Sequence, residues 1–154
     1  MCTSEARPEA AFTLLELLTT VALVSVLTGG AALAWPKIDA ALQLEAGLDQ
    51  VAADLHAART LASASASRVR LVFRSGASTY RWERADDTGT YSLADSRELP
   101  RGIAVADINS GGDLTFSARG QAENGTLVLV DRRGVRRSLR LNQRGRITIL
   151  RAGL

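Results

Sequence analysis

Residues 10–37 read AAFTLLELLTTVALVSVLTGGAALAWPK, and the architecture of the chain turns on how this stretch is understood. No charged residue occurs from Leu17 to Trp35, and Glu16 and Lys37 flank that run. As a helix, Phe12 to Trp35 would extend roughly 36 Å, enough for a hydrocarbon layer of about 30 Å with some tilt. Trp35, Pro36 and Lys37 form the aromatic-to-basic edge expected where a helix leaves a bilayer. Residues 12–35 are therefore predicted to be a single membrane-spanning helix in contact with lipid. The polar segment before it, MCTSEARPEAA (1–11), has one arginine against two glutamates, and the apolar run is too long for the core of a cleaved secretory signal.

Glu16 is the residue that does not fit a simple span. An ionised carboxylate at membrane depth costs at least a few kcal/mol unless something pairs with it. Two readings remain open on the residues alone. Either the span begins at Leu17 and Glu16 lies among headgroups, or Glu16 enters the apolar layer and its partner comes from outside this helix.

Beyond the span, Ala41, Leu44, Leu48, Val51, Leu55, Ala58 and Ala62 recur at steps of three and four, which predicts an amphipathic helical continuation over 36–66. Asp39, Gln43, Asp49, Asp54 and Arg59 occupy the other face, and the Ser/Ala run Ser63–Ser67 marks the end. From Arg68 the periodicity changes to two. RVRLVFR and TYRWERA read as a hairpin, DDTG as the next turn, and IAVADI, LTFSA, NGTLVLV, VRRSLRLN and ITIL as further strands. LADSRELPRG reads as a connection. The expected fold class is α+β: one long N-terminal helix, membrane-spanning in its first half, packed by its second half on an antiparallel β domain of about seven short strands over 67–154.

The residues Ala11-Phe12-Thr13-Leu14-Leu15-Glu16-Leu17, joined to an uncharged span and an amphipathic continuation, resemble the processing signature of type IV prepilins and type II secretion pseudopilins. The resemblance implies that a prepilin peptidase cuts between Ala11 and Phe12 and that Phe12 is then N-methylated. Ala11 stands where the family usually has glycine. It also implies that Glu16, fifth in the mature chain, faces the N-terminal amine of a neighbouring subunit, so that opposite charges offset the cost of burial and set the stagger of a filament. The leader would be cytoplasmic, the chain anchored in the inner membrane beside an assembly platform, and the β domain extracytoplasmic. The rest of the chain resembles the GspH/FimT group of minor pseudopilins and minor pilins, through LTFSARGQAENGTLVLVDRRGVRRSLRLNQRGRI with its Phe116, Gly120, Gly125 and Gly145-Arg146.

The net charge of +3 is unevenly spread: residues 119–154 carry nine arginines and two acids. Alternation in VRRSLRLN puts Val135, Leu139 and Leu141 on one face and Arg136 and Arg140 on the other. With Arg132 and Arg133 in one turn and Arg144 and Arg146 in the next, a hairpin could gather about six guanidinium groups for double-stranded DNA phosphates. Some members of the group bind DNA during uptake through Gly-Arg-x-Arg. Here the match is Gly145-Arg146-Ile147-Thr148, without the second arginine. A solvated, edge-protecting charged face is the favoured reading of these residues.

Other fragments carry less. Asp87-Thr88-Gly89 belongs to a turn rather than a protease site, and Asn124-Gly125-Thr126 reads as a tight turn between strands. His56 reads as structural, and Cys2 is the one cysteine, so no internal disulfide can form. No phosphate loop, zinc spacing or nucleophile with a base is present in the sequence, so no enzymatic activity, metal or cofactor is expected.

Overall fold

The computed structural model describes residues 13–150. One helix, α1 (Leu14–Ala64), precedes eight strands: β1 (Val69–Phe73), β2 (Thr79–Ala85), β3 (Tyr91–Glu98), β4 (Ala104–Ile108), β5 (Asp113–Phe116), β6 (Gly125–Val130), β7 (Arg136–Leu141) and β8 (Ile147–Leu150). The chain divides into two units after Ile38.

In the first unit, α1 opens at Thr13, whose Oγ1 accepts the Glu16 N–H at 3.2 Å. This places Glu16 in the third helical position, where a negative charge is favoured by the unpaired N–H groups of the first turn. The apolar segment is long enough to cross a membrane, with a mean hydropathy of 2.0 and none of it buried within the chain. Its hydroxyls are satisfied locally. Thr19, Thr20, Ser25 and Thr28 donate to the carbonyls of Glu16, Leu17, Val21 and Val24, so these side chains add little polar cost to an apolar environment.

The second unit holds the hydrophobic core. Leu44, Leu48, Val51, Leu55, Ala58 and Ala62 are buried as their spacing requires, whereas Ala41 is exposed. Two four-stranded antiparallel sheets share this helical stripe: the first in order β3-β2-β1-β5, the second β4-β6-β7-β8. The alternating residues Val69, Leu71 and Phe73 of β1, Tyr80 and Trp82 of β2, Leu127 and Leu129 of β6, and Leu139 and Leu141 of β7 face the core. At about 25 cal/mol per Å² of apolar surface, such side chains each contribute roughly 1.5–3 kcal/mol by burial. The helix ends as the Ser/Ala run suggests, with a bond from Ser67 N–H to the Ala62 carbonyl at 3.2 Å and Ala66 in the left-handed region at φ 48°.

Three features depart from the sequence reading. Residues 91–98 form β3 at the edge of the first sheet rather than a connection; seven of its eight residues are exposed, so no period-two signal exists to find. Gly125 lies inside β6 opposite Leu141, not in a tight turn. A Cβ there would sit 2.2 Å from Leu114 Cδ2, so only glycine lets the two sheets approach at this point. The third is Asp54, assigned to the solvent face of the helix but 7 % exposed in the structure. Its Oδ2 accepts the Tyr80 hydroxyl at 2.5 Å, and its Oδ1 lies 3.4 Å from Arg97 Nη1.

Candidate functional site

The processing residues Ala11 and Phe12 lie outside the described residues. Glu16 is exposed in the first turn of α1, on a segment whose large apolar side chains are also exposed: Leu14, Leu15, Leu17, Leu18, Val21 and beyond. A long helix with apolar residues all round is stable only inside lipid or among other helices. Glu16 is thus the one carboxylate on a surface that must be removed from water.

The six arginines singled out by charge do not converge. Arg132 and Arg133 occupy the turn before β7, and Arg144 and Arg146 the turn after it. With six residues between them, the two turns lie roughly 17 Å apart along the strand. Arg133 is engaged with the buried carboxylate of Asp131, at 3.0 Å. Arg132 lies against Gly102, where a Cβ would meet its Nε at 2.6 Å. Arg136 and Arg140 are exposed on the outer face of the second sheet, as the alternation predicts, and neither has an ion pair among the described residues. Val135, expected on the inner face, is 43 % exposed in the turn. Arg137 shares the inward side with Leu139 and Leu141 and pairs with Glu45 of α1 at 3.5 Å. Its parity with those leucines was the signal that set it apart from the exposed arginines.

Three polar features missed by composition and motif emerge from the packing. The turn opened by Asp131 is closed by its own carboxylate, which accepts the N–H groups of Arg133 and Val135 at 2.9 Å each. Burial pushes the Asp131 pKa up, but the Val135 N–H and the Arg133 side chain outweigh it and hold the value below the usual aspartate range. A second cluster joins α1 to β2 and β3: Gln50 Nε2 donates to the Tyr80 hydroxyl and to the Glu98 carbonyl, while Asp54 receives Tyr80 and Arg97. Burial first, then the Asp54 carboxylate, push the Tyr80 pKa well above the ordinary phenol value. The third is on the outer face of the first sheet, where Arg70 pairs with Glu83 at 2.7 Å and Asp113 at 3.2 Å and stacks over the Tyr91 ring. Among the described residues no group of three or more potential metal ligands occurs. None of these clusters places a nucleophile beside a base in a cleft; they hold strands and helix together.

Comparison with known proteins matches this architecture. Residues 48–150 match the family model of the type II transport protein GspH, and residues 6–32 match the prokaryotic N-terminal methylation motif. Among solved structures, the fold is shared with the minor pseudopilin EpsH from the type 2 secretion system of Vibrio cholerae, at 11 % identity and TM-score 0.61, over 73 % of this chain and 99 % of that one. It is shared also with the type IV minor pilin FimU of Pseudomonas aeruginosa, at 18 % identity and TM-score 0.57, over 70 % of this chain and 88 % of that one. No curated protein sequence matches the chain. With the family model spanning two thirds of its length and the methylation motif covering the apolar N-terminus, the chain belongs to the GspH family of type II transport proteins, with a pilin-like fold.

Proposed function

We propose that the chain is a minor pseudopilin or minor pilin that enters a filament through its N-terminal helix after cleavage between Ala11 and Phe12 and N-methylation of Phe12. The observation that carries this reading is the helix itself: an apolar segment with nothing covering it and a single carboxylate, Glu16, in its first turn. Before assembly that segment sits in the inner membrane. Within a filament it packs among the helices of other subunits, and Glu16 takes the amine of Phe12 from a neighbour as its partner, because an uncompensated carboxylate there is costly. The β domain is then displayed outside the membrane and presents a surface at the tip or side of the filament. The prepilin peptidase and the inner-membrane platform are the partners this route requires.

The test separates anchoring from assembly. Glu16→Leu should leave the full chain in the membrane fraction and its leader removed, since the apolar segment is only lengthened. Its recovery in sheared filaments should fall at least tenfold. Unchanged incorporation would sink the assigned role of Glu16, and an intact N-terminal mass that retains residues 1–11 would sink the processing route.

The arrangement of the arginines supports a solvated basic face over a duplex-binding one, because the two turns lie at opposite ends of β7 and Arg133 is already paired. Accordingly, the chain should show no salt-sensitive retention of double-stranded DNA at physiological ionic strength. Binding that weakens steeply with salt, and is lost in Arg136→Glu/Arg140→Glu, would reverse this in favour of a DNA-uptake subunit.

A further inference from the structure

Asn142 opens the turn between β7 and β8. Its Oδ1 accepts the backbone N–H groups of Arg144 at 3.1 Å and Arg146 at 2.9 Å. The same turn occurs twice more with aspartate in the opening position: Asp86 accepts from Thr88 and Thr90, and Asp131 from Arg133 and Val135. All three close identically through the carboxamide or carboxylate oxygen, but only at 142 is the spare atom a donor. A backbone N–H can only donate, so the atom facing it in Asn142 is oxygen and the Nδ2 group is turned away from the turn. Asn109 is fixed the same way, its Oδ1 taking the Thr126 N–H at 2.7 Å.

Both amides line one surface cleft of about 400 Å³, together with Asn124, Thr126 and Arg140, and no acidic side chain lines it. Arg140 lies opposite Thr126 in the β6–β7 register, on the outer face of the second sheet. It has no ion pair among the described residues. The cleft is therefore lined by one guanidinium, by the amides of Asn109 and Asn142, whose Oδ1 atoms accept backbone N–H groups, and by Asn124 and Thr126.

We propose that this cleft is a carboxylate-binding site, whose natural occupant is an acidic side chain of a partner protein docked on the outer face of the second sheet. A single guanidinium balances a single carboxylate, and its planar fork matches the two oxygens. The Nδ2 groups of Asn109 and Asn142 serve the remaining lone pairs. The site stands apart from the filament reading, because every residue in it belongs to the β domain and none to the apolar helix.

The experiment uses the full-length chain in dodecyl maltoside micelles with nitrogen-15 labelling, followed by NMR at constant ionic strength. Sodium acetate is titrated in one arm and inorganic phosphate in the other. Acetate should give saturable shifts, with a millimolar midpoint, in the side-chain signals of Asn109, Asn142 and Arg140. Asn142→Asp keeps the turn, as Asp131 does in its sister turn, but replaces the donor by an acceptor; it should weaken acetate binding at least tenfold with the backbone spectrum preserved. Arg140→Gln should do the same. Saturation by phosphate but not acetate would overturn the carboxylate assignment. An absence of saturable shifts in both arms, or undiminished acetate binding in Asn142→Asp, would overturn the site.

Discussion

One hydroxyl illustrates how finely the interior is set. Tyr80 donates to Asp54, and without that hydroxyl the buried carboxylate would keep only the Arg97 contact. Tyr80→Phe should therefore cost about 1–3 kcal/mol in urea denaturation, the penalty for an under-satisfied buried acceptor rather than the net value of one hydrogen bond. Ala66 offers the opposite case. It occupies a left-handed position that glycine adopts without steric conflict, so Ala66→Gly should raise stability by up to about 1 kcal/mol in the same measurement. Asp131 adds a pH dependence. Its folded pKa is depressed, so the unfolded chain binds more protons near the ordinary aspartate value of about 3.9, and stability is lost as the pH falls through that value toward the folded one. Asp131→Asn keeps the turn acceptor but removes the titration. The stability difference between the two proteins should be flat above about pH 5 and shrink below pH 4, as read from denaturation midpoints across that range.

Helix and turns meet through particular side chains rather than through general complementarity. Arg59, near the end of α1, passes beside the turn after β7, and a Cβ at Gly145 would lie 3.0 Å from its Nε. Gly145 also has φ +72°, so Gly145→Ala adds backbone strain to the crowding. A loss of about 1–2 kcal/mol should appear in thermal unfolding, and Arg59→Ala should recover the part due to crowding while leaving the part due to strain. The pairing of these two elements was not legible in the sequence, because Arg59 carried only the label of a solvent-face residue. β3 was invisible for a related reason. A strand exposed on both faces has no hydrophobic alternation, and its identity comes from its hydrogen bonds to β2.

The chain as a whole combines a membrane-length apolar helix with a core that begins at Leu44. This separation predicts that shortening the apolar segment leaves the β domain folded. Removing residues 17–24 should abolish membrane retention, yet the urea midpoint of the β domain should move by no more than the error of the measurement. A shift of several tenths molar would show that the apolar segment supports the core. The family assignment rests on both parts independently, since one model matches residues 48–150 and the other 6–32.

Local pattern alone was enough to reveal the helix, its buried stripe, the hairpin of β1 and β2 and the meander of β6 to β8. Each of these is written in residues close together in the chain: an uncharged run, a period of three and four, a period of two. What only tertiary structure decided is the fate of polar groups whose partners are distant in sequence. Asp54 is buried because Tyr80 and Arg97 come to it, the arginines divide because β7 separates their turns, and Asn109 and Asn142 reach one cleft because β4 and β7, which flank β6, carry them there. Apolar burial follows from composition and spacing, whereas a hydrogen bond requires two named atoms to meet, and that meeting depends on the register and packing of the folded chain.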